Sequence, residues 1–469
     1  MFVCVYILDV CTLKPKRIMR IYLLFIIVVV SLGGFLFGFD MAVVSGIIPL
    51  IKTDFALSAS QEGLFVSSAL IGCIVGVAFA GKLSDRYGRK SLLIAAAALF
   101  FLSAIGCSLS PDFFTLLVAR CLSGVGVGVA SIVVPLYIAE VSPASLRGRM
   151  VTCYQLAVTI GILIAYLSNA AVLQYNWQWT DGSHWRMMFL MGAIPALLFW
   201  FGLYRIPESP RWLMQKGRDD RAAEVMRRLQ LTEVISTASS PERMIKVSLW
   251  KPVYRQALLL GLLLPLFSQL SGINAIIYFG PTILVQSGLS LSGSLQTQIY
   301  FGLANVIFTG IAIWKVDSWG RRPLYLVGSA GATICLLLTA WFLNVNMENY
   351  GWLLALPILG FLLFFAFSIG PLKFVVASEI FPSAIRAKAM ALSVLVMWIA
   401  DAIVGQLTPI MLDSWGAAWT FRFFAVCCAI AFFAVYYLLP ETKGKTLETI
   451  ETYWQEKFNQ NRRGENNNK

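Results

Sequence analysis

The sequence predicts an all-α membrane protein whose twelve spanning helices form two six-helix bundles joined by a short helical linker, and three observations lead there. Of 469 residues, 58% are hydrophobic and 13% charged, with mean hydropathy +0.75, far from the balance of a water-soluble domain. Apolar runs of roughly 20 residues recur about twelve times, each long enough to cross about 30 Å of hydrocarbon, and only helices satisfy their own backbone there. A charged turn between two such runs, Gly81–Lys90, is echoed at Trp314–Pro323 by Lys315, Asp317, Gly320, Arg321 and Arg322, as in an internally duplicated bundle. The expected division is a segment 1–20, a first bundle 21–213, a linker 214–251, a second bundle 252–440 and a tail 441–469.

The net charge of +13 does not mark a nucleic-acid surface, because its Lys and Arg sit in short inter-helix turns. Basic clusters occupy alternate loops, from Lys14–Arg20 to the tail after Lys443, which predicts both termini on the cytoplasmic side. Nine cysteines are scattered through apolar runs without pairing or metal-like spacing, and no cofactor motif is present. Segment Met1–Met19 carries Lys14, Lys16 and Arg17 and lacks a plausible cleavage site, so it is not read as a signal peptide.

Helix 1 (about Ile21–Leu50) contains Gly33-Gly-Phe-Leu-Phe37-Gly-Phe-Asp40. A carboxylate within a membrane helix costs about 2.5–3.5 kcal/mol on insertion scales and needs a partner, unless it is simply hydrated near the interface. Helix 2 (about Glu62–Ala80) leads into the charged turn. Helix 4 carries Arg120 in the apolar stretch Phe113–Tyr137, the obvious partner for Asp40, although an arginine can also snorkel to headgroups. Beyond it, Gly124-Val-Gly126-Val-Gly128 superficially imitates a dinucleotide loop, but inside an apolar helix it reads as a close-packing face. Helix 5 carries Gln155, and the single histidine, His184, receives no role.

Helix 7 (about Tyr254–Ser287) is weakened by Gly272 and Pro281 where Gln269, Asn274 and Tyr278 offer amide and hydroxyl groups suited to a polyhydroxylated ligand. Asn305 lies in helix 8. Helix 10 is expected to break at Gly370-Pro371 and then places Lys373 and Phe374 at membrane depth, while helix 11 brings Trp398 and Asp401. Lys373 and Asp401 are expected to form a second intramembrane ion pair, the alternative being that each faces water separately.

With these features in order, the chain resembles the sugar porter family of the major facilitator superfamily, and resembles both its proton-coupled symporters and its facilitative members. The motifs are Gly81–Lys90 and its echo, Arg147-Gly-Arg149, Pro207–Leu213, Gln269–Asn274, Ser378–Pro382 and Pro440–Lys445. The resemblance implies two bundles rocking about a midplane site, with a neutral monosaccharide or cyclitol and protons as partners, and without enzymatic activity. Phe37, Gln155, Gln269, Asn274, Tyr278, Asn305, Phe374 and Trp398 would bind substrate, and Asp40 with Arg120 would couple the proton. Asp85, Arg89, Glu140, Arg147, Glu208, Arg321, Glu379, Arg386 and Glu441 would form inter-bundle ion pairs of a cytoplasmic gate. The chain departs from the family pattern at Ser268, where a glutamine is usual, at Phe374 for tryptophan, at the charge of Lys373, and at Asp401 for asparagine. A monomer in a bacterial inner membrane is expected, with facilitated uniport the alternative mode and a sugar-acid transporter or a non-transporting sugar sensor the further alternatives.

Overall fold

The computed structural model describes residues 17–143, 146–179, 182–229, 251–344, 351–382, 385–443, 449–450 and 452–456. Segment 1–16, linker residues 230–250 and the tail beyond 456 thus lie outside the described residues. Twelve long helices cross back and forth: α1 Arg17–Asp54, α2 Ala59–Tyr87, α3 Arg89–Leu109, α4 Phe113–Val141, α5 Arg147–Gln174 and α6 His184–Tyr204, then α7 Pro252–Gln286, α8 Leu291–Trp319, α9 Arg321–Asn344, α10 Ala355–Ile380, α11 Arg386–Ser414 and α12 Ala417–Leu438. Short helices Pro210–Gln215 and Asp219–Leu229 begin the linker, and the side of the molecule that carries them is here the linker face.

Each helix starts and stops for local reasons. On the opposite face Ser58 caps α2 in a capping box with Gln61, Asp112 caps α4 and Ser290 caps α8, each side chain accepting an otherwise unpaired backbone N–H. The expected charged turn is mostly helix: α2 runs on to Tyr87 and the reversal is confined to Gly88, with φ +103. Its repeat is Gly320, with φ +90. In α7 the predicted weak point is Gly272, whose left-handed φ of +82 separates the stretches ending at Leu270 and starting at Ile273. α10 does not break at Gly370-Pro371. Pro371 lacks the N–H that the ladder needs, and the strain is taken up in a π turn over Phe365–Ile369, after which the helix continues to Ile380.

Close approach defines the first bundle's centre. A Cβ on Gly124 would lie 1.9 Å from the carbonyl oxygen of Ala69, and on Gly128 2.3 Å from that of Cys73. Gly72 and Gly76 of α2 meet Cys121 and Val125 of α4 in the same way, so α2 and α4 touch backbone to backbone through two small-residue stripes.

Candidate functional site

The closest buried charges in the first bundle are Asp40 on α1 and Arg120 on α4. Arg120 Nη1 donates to Asp40 Oδ1 at 2.8 Å, and Ser123 Oγ, one turn further along α4, donates to Oδ2 at 3.3 Å. The Arg120 side chain is only 1% exposed and lies between the rings of Phe65 and Phe189, so it does not snorkel to a surface. Asp40 is less enclosed, at 15%, and borders a small cavity with Leu36, Val43, Phe100 and Ser103. The pair is thus a charged element sealed on the arginine side and approachable on the carboxylate side.

Of the expected ligand residues, Phe37 and Tyr278 make contacts that cross between the bundles. The Phe37 and Trp398 rings meet across the bundle interface at 5.5 Å. On α7, Gln269 and Tyr278 are buried on either side of the Gly272 break, and Tyr278 donates to Met41 of α1. Gln155 is exposed and lies about three helical turns before Tyr166, which places both on one face of α5. Tyr166 reaches the carbonyl of Ile277 on α7, so that face is turned towards the second bundle. Asn305 on α8 and Phe374 on α10 are half-buried.

The expected direct ion pair between Lys373 and Asp401 is not formed. Lys373 Nζ donates to Ser268 Oγ at 3.2 Å and lies over the Phe374 ring, whereas Asp401 accepts from Asn274 Nδ2 at 2.5 Å. Each charge finds its own polar neighbour on α7, on opposite sides of the Gly272 break. The physical reason lies upstream: a π turn carries an extra residue, so everything after it on α10 is rotated by about 100° from an unbroken helix.

Hydrogen bonds between the bundles cluster in the half of the molecule away from the linker face. Ser45 Oγ donates to Gln298 Oε1 at 2.8 Å, Ser67 Oγ donates to Gln406 Oε1 at 2.8 Å, and Gln406 Nε2 donates to the Ser60 carbonyl at 3.0 Å. Gly63 and Gly302 let the facing helices approach there. These latch residues have a signal in the sequence, since Gln298 and Gln406 are amides within apolar spans, where burying them is costly. Replacing both with leucine removes these three hydrogen bonds, worth about 1 kcal/mol each, which shifts a two-state equilibrium on the order of 100-fold. Spin labels at the exposed Thr53 and Ser414 are then expected to report a longer distance in a large fraction of molecules; an unchanged distribution would show that the latch carries no energy.

At the linker face the two bundles repeat one construction. Arg89 pairs with Glu140 at 3.0 Å and with Asp85 at 3.1 Å, and Arg321 pairs with Glu379 at 2.9 Å. Ser209 donates to Glu140 and Thr442 to Glu379. Glu208 accepts the backbone amides of Arg89 and Lys90 at the start of α3, while Glu441 accepts those of Arg321 and Arg322 at the start of α9. A Cβ on Gly88 would stand 2.3 Å from the Glu208 carboxylate, so both space and positive φ require glycine. Burial pushes the Glu208 carboxyl above its ordinary range; burial acts the same way on Glu441, but the amides of Lys443, Arg321, Arg322 and Thr442 outweigh it and hold that carboxyl low. Each of these ion pairs lies within a single bundle, and among the described residues none of the expected bridges between bundles is seen. Arg386 bonds the Phe381 carbonyl, and Arg147 is exposed.

Comparison with known proteins agrees with this geometry. The family model described as sugar (and other) transporter matches residues 26–454. The chain is 39% identical to the arabinose-proton symporter of Bacillus subtilis, over 90% of this chain and 93% of that one. It is 36% identical to the D-xylose-proton symporter of Escherichia coli, over 92% and 96% of the respective chains. The inward open structure of the E. coli xylose transporter superposes with a TM-score of 0.80 at 34% identity, covering 92% of this chain and 100% of that one. Twelve helices in two bundles, matched end to end by this fold and this family model, make the chain a member of the sugar transporter family within the major facilitator fold.

Proposed function

We propose that the chain is a proton-coupled symporter that carries a neutral monosaccharide or cyclitol across the cell membrane by alternating access. The observation that carries this reading is the Asp40–Arg120 pair: a carboxylate held by a fixed arginine, with a cavity beside it, can take up a proton when the pair loosens and give it up when the pair closes. The arabinose and xylose relatives are proton symporters, and a further relative, 36% identical, is the major myo-inositol transporter of Bacillus subtilis.

In this reading the linker face is cytoplasmic, the membrane is a bacterial inner membrane, and the protein works as a monomer. Phe37, Gln155, Gln269, Asn274, Tyr278, Asn305, Phe374 and Trp398 hold the substrate, amides bonding hydroxyls and rings covering the C–H faces. Latched away from the linker face, the conformation described above opens inward. When the bundles close on that side instead, Arg89, Arg147, Arg321 and Arg386 meet acids such as Asp85, Glu140, Glu208, Glu379 and Glu441 across the interface.

The test is uptake of labelled pentoses, hexoses and inositols into proteoliposomes with and without an inward proton gradient. Gradient-driven accumulation of a neutral sugar or cyclitol is expected. Equilibration without accumulation would make the protein a uniporter, and uptake confined to sugar acids would remove the neutral-substrate reading.

A further inference from the structure

The two charges that fail to pair lie in the middle of the site, and neither has its hydrogen-bonding capacity filled. An ammonium has three N–H donors, and the one hydrogen bond of Lys373 among the described residues goes to Ser268 Oγ at 3.2 Å. Asp401, 3% exposed, has four lone-pair positions; Asn274 donates to one at 2.5 Å and the Tyr278 hydroxyl interacts with a second, which leaves two open. One turn before Asp401, on the same face of α11, the buried indole N–H of Trp398 has no partner. Buried polar groups left this way are costly, and in a substrate site the partner that completes them is the substrate.

The placement of the anchors narrows what that partner is. Ser268 precedes the Gly272 break in α7 and Asn274 follows it, so the ammonium and the carboxylate stand on opposite sides of the one irregular turn in that helix. They act on each other electrostatically without approaching within 4.0 Å. Opposite charges held apart are neutral in sum, which disfavours a charged substrate, and between them a group that both accepts and donates is stabilised. A hydroxyl is such a group.

We propose that Lys373 and Asp401 are specificity-determining ligands that read one hydroxyl of the substrate, which accepts a hydrogen bond from Lys373 Nζ and donates its proton to the Asp401 carboxylate. Asp401 at the same time holds the Asn274 amide, leaving the Asn274 carbonyl oxygen to face a neighbouring hydroxyl. This rests on the transport reading above and adds to it a defined requirement: the substrate is a polyol with a hydroxyl that cannot be removed at one position. A site built around such a group discriminates against the analogue that lacks it far more steeply than an apolar pocket discriminates by size.

The experiment is competition for uptake in proteoliposomes, using the best carried sugar and its complete set of monodeoxy analogues. In the wild type, loss of one particular hydroxyl is expected to weaken competition about 100-fold or more, with smaller effects at the others. The double variant Lys373→Gln/Asp401→Asn leaves no lone buried charge. It is expected to weaken the parent sugar towards the level of that one deoxy analogue while leaving the analogue's own competition unchanged within about threefold. Lys373→Met/Asp401→Asn, with an apolar side chain of similar length, is a second version should the first fold poorly. Equal weakening of the parent and every analogue would reveal a merely structural role and overturn the proposal, as would discrimination that survives both variants. If the wild type carries no sugar at all, the transport reading itself fails and this inference falls with it.

Discussion

Asp40→Asn is expected to abolish uphill accumulation, bringing the steady-state sugar ratio across a proteoliposome membrane to about one, while exchange of labelled for unlabelled sugar continues. The asparagine keeps the shape of the side chain: its Oδ1 can still accept from Arg120 and its Nδ2 can donate to the Ser123 hydroxyl, in place of the contacts that Asp40 makes at 2.8 and 3.3 Å. It cannot bind and release a proton. Removing one partner of a buried pair typically costs 3–5 kcal/mol, and the polar isostere limits that loss, so the variant should reach the membrane. Measuring exchange and gradient-driven uptake on the same vesicles separates coupling from folding. Retained accumulation in Asp40→Asn would assign the proton to another group, and loss of both activities would make the pair structural.

Gly124→Val is expected to prevent folding. Its Cβ would stand 1.9 Å from the Ala69 carbonyl oxygen, and backbone cannot rotate away as a side chain can. The helices would have to separate along the whole α2–α4 contact, losing the packing of Gly72, Gly76 and Gly128 as well, and the cost is at or above about 3 kcal/mol. Chromatography in detergent should show aggregate in place of a monodisperse peak. Gly81→Ala is the matched control: nothing lies within 4 Å of the added Cβ, and within a helix alanine is preferred to glycine by about 1 kcal/mol. A valine variant at Gly124 that melts within a few degrees of the wild type would show that α2 and α4 are free to part.

The same physics decided what could be read from the sequence. Asp40 and Arg120 were legible as partners because each is the sole strong charge on its apolar stretch and each is expensive alone. The glycine stripe on α4 was legible because spacing alone places Gly124 and Gly128 on one face. The pairing of Lys373 with Asp401 was misread because the π turn at Phe365–Ile369 changes the helical phase, and no residue in that stretch advertises it. The charges expected at a cytoplasmic gate lie at the linker face, but the ion pairs they form among the described residues are within each bundle, and motif spacing does not encode which acid a given base meets. Ser45, Gln298 and Gln406 are less legible because a neutral hydroxyl or amide in an apolar helix stands out less than a charge, although burying it also demands a partner.

The latch away from the linker face is made of neutral amides and hydroxyls, whereas the linker face is lined with full charges such as the largely exposed Asp85 beside Arg89. Dissolved ions screen exposed charges over about 10 Å at 0.1 M but have little hold on a buried amide bond. On the latch side ionic strength reaches the Lys52–Glu62 pair through its exposed lysine but not the amide bonds that join the bundles. Raising it at the linker face weakens whatever the charges there contribute to closing, while raising it at the opposite face leaves the amide latch as it was, so the resting orientation responds to electrolyte in a vectorial way.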